Sequence, residues 1–178
     1  EFSQLDNKFS SKNDLDYFQV DMNFKLGRFQ QAIDLGNKLL KKSNKLYESD
    51  LSKIVGESHF NLKNYKESLP FLVAYKGIKD KWTNEDFYQL GYAYYSEKKY
   101  DSAIDQFNKI INQSNSLSQN AFYHLGDCYL KEEKKIEALS AFKKASEMNF
   151  NKKIKEDALL QYAKLGFEIG NPFESYTN

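Results

Sequence analysis

The feature that most restricts how this chain can fold is a repeat. Gly56, Gly91 and Gly126 recur at intervals of 35 residues, and a second small series, Ala32, Ser68, Ala103 and Ala138, recurs at 36, 35 and 35. Aromatic residues travel in phase with them. Phe29, Tyr65 and Tyr100 each stand three positions before a member of the second series, and Phe107 and Phe142 each stand four after one. Several residue types sharing one period of this size mark a solenoid, in which a supersecondary unit buries its apolar face only by stacking on its neighbours.

Within each period the pattern reads helix, short polar turn, helix. Phe87, Leu90, Tyr94 and Tyr95 line one helical face, "SEKK" is the turn, and Tyr100, Ala103, Ile104, Phe107, Ile110 and Ile111 line the face of a second helix. Spacings of three and four are helical. A glycine inside a helix costs about 1 kcal/mol relative to alanine, so Gly91 needs a reason. Two antiparallel helices approach closely where a small residue sits at their crossing, and the phases of Gly91 and Ala103 predict that these two meet there. Two prolines and eight glycines in 178 residues leave little room for a turn-rich β fold. The fold class is therefore all-α. Pro70 falls six residues into a predicted second helix and removes a backbone donor there; with Gly77 in "YKGIKDKW", it predicts that this helix ends early.

Two stretches carry a family pattern: Phe87, Leu90-Gly91, Tyr94, Tyr100, Ala103 and Phe107, and again Phe122, Leu125-Gly126, Tyr129, Ala138, Phe142 and Ala145. They resemble the tetratricopeptide repeat (TPR), whose usual length is about 34 residues. The resemblance implies a right-handed α-solenoid of stacked antiparallel helix pairs. Residues 1–12 would end a preceding repeat's second helix, with Phe2 and Leu5 at its apolar positions. Repeats would then span 13–48 (degenerate, with Val20 at the glycine phase and Gly36 at a bulky one), 49–83, 84–118 and 119–153. Residues 154–178 would supply the first helix of a fifth, truncated repeat. The chain opens with Glu-Phe rather than Met and reads as a piece of a longer array. "YQLGYAYY" and "AKLGFEIGNPFES" are similar to large bacterial TPR arrays, often exported to the periplasm.

Candidate chemistry is sparse. A net charge of +1 gives no general pull toward nucleic acid or an anionic surface. The lysines of "KLLKKSNK" (Lys38 to Lys45) read as solvated helix ends rather than a specific nucleic-acid site. No apolar run reaches the ~18 residues that suggest a membrane span. Cys128 is the single cysteine, so no intrachain disulfide can form. His124 and Cys128 are four apart on one helix, a spacing that suits two metal ligands. No further His or Cys completes that site, and the phase of Cys128 points inward. His59 shares a phase with Tyr94 and Tyr129 and reads as a packed aromatic substitute. No phosphate-cradling loop is present, so neither a cofactor nor an enzyme is expected.

Binding is a different matter, because the resemblance implies a concave groove lined by first helices. Carried over phase by phase, that groove holds Tyr17, Phe18, Asp21 and Phe24, then Lys53, Ile54, Glu57, Phe60 and Asn61. The third repeat adds Tyr88, Gln89, Tyr92, Tyr95 and Ser96; the fourth adds Tyr123, His124, Asp127 and Lys131; Gln161 and Lys164 follow in the fifth. Gly56, Gly91, Gly126, Ala32, Ala103, Ala138, Phe107 and Phe142 are the structural signature. The family's carboxylate clamp of Lys, Asn and Arg is absent, since those phases hold Tyr17, Asp21, Ile54, Glu85 and Gln89. Five first-helix windows (14–25, 50–61, 85–96, 120–131, 157–168) carry ten Asp or Glu against four Lys or Arg. The expected function is a protein-interaction module binding a peptide or protein segment with basic and apolar anchors. The chain itself would be a monomer or associate weakly end to end. The alternative is a spacer within a longer array, its tyrosines serving only to pack and its charge pattern only to complement helix dipoles.

Overall fold

The computed structural model describes residues 12–42 and 47–170. The expected helix end at Phe2 and Leu5, the last residues of "KLLKKSNK" and the end of the fifth repeat lie outside them. The described residues form nine α-helices in two compact units, one reaching Trp82 and the other starting at Thr83. The fold is an all-α helical repeat. The N-terminal unit holds α1 (Lys12–Lys25), α2 (Phe29–Leu40), α3 (Glu48–Asn61) and α4 (Tyr65–Ala74). The C-terminal unit holds α5 (Asn84–Ser96), α6 (Tyr100–Phe107), α7 (Ser116–Lys131), α8 (Lys135–Glu147) and α9 (Lys152–Glu168). In each unit every helix packs on the next. The first helices of successive pairs also touch: α1 on α3 in one unit, α5 on α7 and α7 on α9 in the other.

The turns within pairs share one device. Gly27, Lys63, Lys98 and Glu133 all adopt left-handed backbone, with φ between 59° and 71°. In each turn the next amide reaches back five residues, as in Arg28 N to Asn23 O at 2.8 Å and Lys134 N to Tyr129 O at 2.8 Å. That pattern satisfies carbonyls a helix end would otherwise leave unpaired and reverses the chain in three residues. In the C-terminal unit the starts of α5, α7 and α9 are capped by side chains. Thr83 and Asp86 form a reciprocal capping box on α5, and Asn115 and Asn151 accept from Ser118 N and Ile154 N.

The repeat-signature residues are interior. Ala32, Ser68, Ala103, Ala138, Phe107 and Phe142 are fully buried. The predicted meeting of Gly91 with Ala103 needs correction. The atoms nearest to a β-carbon at Gly91 belong to the Phe107 ring, at 2.8 Å, and to Gln106, one turn further along α6. Gly126 stands in the same way against the Phe142 ring, at 2.6 Å. In both pairs the nearest obstacle to a methyl is a ring one turn beyond the small residue. The second helix of this repeat also ends earlier than its apolar pattern suggests. α6 stops at Phe107, and Ile110 reaches the core from the turn beyond, 1% exposed. α4 carries Pro70 within it and ends at Ala74, ten residues long.

One buried polar residue ties three elements together. Gln119 is fully buried on α7; its Nε2 donates to Ala145 O and Met148 O, and its Oε1 accepts from Asn151 N at 2.7 Å. Buried amides are tolerated when their polar atoms find partners, and here the partners are the end of α8 and the cap of α9.

Candidate interaction faces

The N-terminal unit carries an open cleft of about 340 Å³ on α1 and α3. Tyr17, Asp21, Phe24 and Lys25 enter it from α1, and Asp50, Lys53, Ile54 and Glu57 from α3. Tyr75 and Ile78, from the segment after α4, complete the wall. Of the sequence-predicted positions, Tyr17, Asp21, Phe24, Lys53, Ile54 and Glu57 are brought together here. Phe18 is not: it lies in a separate apolar cleft with Leu15, Gln19 and Met22. Phe60 packs edge-on against Tyr65, and Asn61 donates to its own helix at Glu57 O.

The cleft is charged and its charges are mostly matched. Lys25 Nζ pairs with Asp21 Oδ2 at 2.6 Å, and Lys53 Nζ lies 3.9 Å from Glu57 Oε1. The Lys53 ammonium also sits 4.8 Å from the centroid of the Tyr75 ring. Tyr17 stacks on Tyr47 at 4.4 Å, and Tyr47 donates its hydroxyl to Asp14. The Tyr17 hydroxyl is pushed up to about 12, first by burial and then by the carboxylates of Asp50 and Asp21. Burial disfavours a charge of either sign here, and only the smaller effect of Asp50 and Asp21 reports the negative potential of the lining.

The first-helix face of the C-terminal unit is arranged differently. Tyr88, Tyr92, Tyr95, Tyr123 and Phe107 surround the imidazole of His124, with centroid distances from 5.0 to 6.2 Å. Tyr92 in turn packs on Tyr88 and Tyr95. His124 Nδ1 is buried with no hydrogen-bond partner among the described residues, and burial pushes the imidazole down to about 4. The neutral ring is thus a packing element at neutral pH, inside the stack rather than offered at its surface. Tyr95 donates to Asp127 Oδ2 at 3.3 Å. Asp127 is itself raised by burial, against the opposing effects of that hydrogen bond and of Lys131. Burial, and Asp127 after it, raises both Tyr95 and Tyr123. Gln89 Oε1, also predicted for the groove, is buried with no hydrogen-bond partner among the described residues.

Other candidate chemistry resolves into packing. Cys128 is fully buried, and its thiol is pushed up to about 12 by burial first and by Asp127 next. That is the opposite of the depressed value a reactive thiol needs. No group of three or more metal-ligating side chains occurs among the described residues. His59 stacks on Phe71 at 5.7 Å, and burial lowers its pKa. No helix among the described residues is long and apolar enough to cross a membrane.

The cleft residues missed from sequence are Lys25, Asp50, Tyr75 and Ile78. Asp50 opens a first helix one turn before the groove phases; Tyr75 and Ile78 lie outside any helix and have no phase to follow.

Comparison with known proteins agrees with this architecture. Residues 72–145 match the family described as anaphase-promoting complex, cyclosome, subunit 3. Among solved structures, the chain is similar to YrrB, described as a TPR protein with an unusual peptide-binding site. The identity is 16% and the TM-score 0.68, over 88% of this chain and 77% of that one. It is also similar to MamA (AMB-1), at 18% identity and a TM-score of 0.71, over 93% of this chain and 86% of that one. MamA MSR-1 gives 16% identity and a TM-score of 0.67, over 93% and 91%. No curated protein matches the sequence significantly. The fold is that of tetratricopeptide-repeat proteins.

Proposed function

We propose that the chain is a protein-interaction module that binds a peptide or extended protein segment on the first-helix face of its N-terminal unit, without a carboxylate clamp and without catalysis. The observation that carries this reading is the cleft of about 340 Å³ walled by Tyr17, Phe24, Ile54 and Tyr75 with Asp21, Asp50 and Glu57 among its lining. Apolar walls with a few charged groups provide burial for an anchor side chain and a means of selecting its charge. The similarity to YrrB, a TPR protein with an unusual peptide-binding site, supports the same class of activity.

A second reading, that of a spacer in a longer array, is favoured for the C-terminal unit by the ring stack around His124. There the tyrosines satisfy one another. The two readings divide on one experiment: capture of proteins from a cell extract by the immobilised chain. Glu57→Lys should abolish capture of any specific partner, while Tyr92→Phe should leave it unchanged, both with unaltered circular dichroism. Capture that survives Glu57→Lys ends the assignment to this cleft.

A further inference from the structure

Helices alone do not close the N-terminal cleft. After α4 the chain makes a two-residue hairpin, with Ile78 N donating to Lys81 O and Lys81 N to Ile78 O, both at 3.0 Å. Lys79 and Asp80 take left-handed backbone, φ 51° and 60°. Gly77, at φ 86°, is required: a β-carbon there would stand 2.5 Å from Lys81 O. This tight turn leaves Tyr75 only 4% exposed and brings it, with Ile78, into the lining that α1 and α3 begin. The helical repeat by itself supplies no such end wall.

What rests against that wall is informative. The Lys53 ammonium lies between the Tyr75 ring, 4.8 Å from its centroid, and Glu57, at 3.9 Å. The ring contact is an ordinary cation–π distance, within about 6 Å, whereas the carboxylate contact is long for an ion pair. A hydrogen-bonded ammonium–carboxylate pair is shorter, about 2.7–2.9 Å, as the Lys25–Asp21 pair is at 2.6 Å. Asp50, on the same lining, forms no ion pair with a described residue. The cleft therefore holds an aromatic face and a carboxylate, Glu57, both engaged by Lys53, and a second carboxylate, Asp50, that has no ion pair with a described residue, with Phe24 and Ile54 to pack an aliphatic stem.

We infer that the cleft receives a single cationic side chain of an extended peptide, arginine ahead of lysine, which displaces Lys53 from Tyr75 and Glu57. This rests on the interaction-module reading above and adds the chemistry of the anchor. Arginine leads because a planar guanidinium stacks on a ring and still forks onto a carboxylate, whereas an ammonium meets them as a point charge. The volume suits one long side chain: 340 Å³ is near the lower end of ligand pockets, about 300–1,000 Å³. The negative potential of Asp50 and Asp21, which Tyr17 already registers, favours the same sign of ligand.

The test uses the 178-residue chain and fluorescein-labelled Gly-Leu-Arg-Leu-Gly. Parallel peptides carry lysine or citrulline in the central place, and binding is read by fluorescence anisotropy. Citrulline keeps the shape of arginine and removes its charge. The arginine peptide should bind about fivefold or more tighter than the citrulline peptide, with lysine between them. Asp50→Asn and Tyr75→Leu should each remove most of that preference. Lys53→Met should tighten the arginine peptide several-fold, because the resident ammonium is gone. Weaker binding to Lys53→Met would overturn the displacement. Equal binding of arginine and citrulline peptides would overturn the cationic anchor while leaving peptide binding standing. No binding of any of the three at millimolar concentration would overturn both readings.

Discussion

The two units build their first-helix faces from homologous positions and reach opposite results. Ile54 and His124 are two periods apart, 70 residues, and 71 residues separate Asp21 from Tyr92 and Phe24 from Tyr95. In the C-terminal unit the rings of Tyr92 and Tyr95 close on His124 at 5.1 and 5.0 Å. At the matching positions of the N-terminal unit stand a short carboxylate, Asp21, and an aliphatic side chain, Ile54, and both line an open cleft. Side-chain size at these positions accompanies the difference between a face filled from within and one left open. The same framework thus yields a packed seam in one unit and a cleft in the other.

The sharpest way to break this comparison is to remove the base of the seam. Phe107 is fully buried, lies 5.8 Å from Tyr88 and 5.7 Å from His124 by ring centroids, and covers Gly91. Phe107→Ala should destabilise the C-terminal unit by about 3–5 kcal/mol, the usual range for deleting a buried ring. Urea denaturation would measure it, and loss of the near-ultraviolet tyrosine signal should accompany it. A cost below about 1 kcal/mol would mean the rings do not depend on one another.

Acid should distinguish the units next. Burial holds the His124 imidazole at about 4 in the folded chain, against an ordinary value of 6.5. Above pH 6.5 neither state takes up the proton and stability is complete. As pH falls from 6.5 toward 4 the unfolded chain protonates first, so stability drops by about 1.4 kcal/mol per pH unit, roughly 3 kcal/mol in all. Below that both states are protonated and the loss levels off. His59, also lowered, acts in the same sense; Asp127, raised by burial, opposes it as pH climbs above the ordinary carboxylate range. The difference between the parent chain and His124→Phe, followed by denaturation from pH 7 to 4, isolates the imidazole. Parallel curves would remove His124 as the source.

Much of this was legible in the sequence, and the limits have physical causes. The period fixed the helix pairs because core positions recur once per stacked unit, and it marked Gly91 as a site of close approach. It placed the nearest neighbour of Gly91 on α6 one turn too early. A period shows which residues are equivalent, not how far one helix is rotated against another. The correct signal was present in the spacing of 16 residues from Gly56 to Leu72, Gly91 to Phe107 and Gly126 to Phe142. Phase also nominated Tyr92, Tyr95 and His124 for a groove, because phase identifies a face and is blind to whether neighbours on it satisfy one another. Tyr75 and Ile78 were out of reach for another reason. Their hairpin places Lys79 and Asp80 at left-handed positions where Asn-Gly would have announced the turn.

The smallest expected effect tests the other half of the comparison. A lining residue without an ion pair contributes little to holding an open face together, so a change there should scarcely alter stability. Asp50 is exposed at the start of α3 and forms no ion pair with a described residue. Asp50→Asn removes its charge with nearly the same shape and should shift the unfolding free energy by no more than about 0.5 kcal/mol, as surface substitutions generally do. The direction should be slightly unfavourable, since a carboxylate in the first turn complements the positive end of the helix dipole. Urea titration of the variant beside the parent chain is sufficient. A loss above about 1.5 kcal/mol would show that Asp50 is part of the structural framework, and the cleft would then be as self-satisfied as the ring stack around His124.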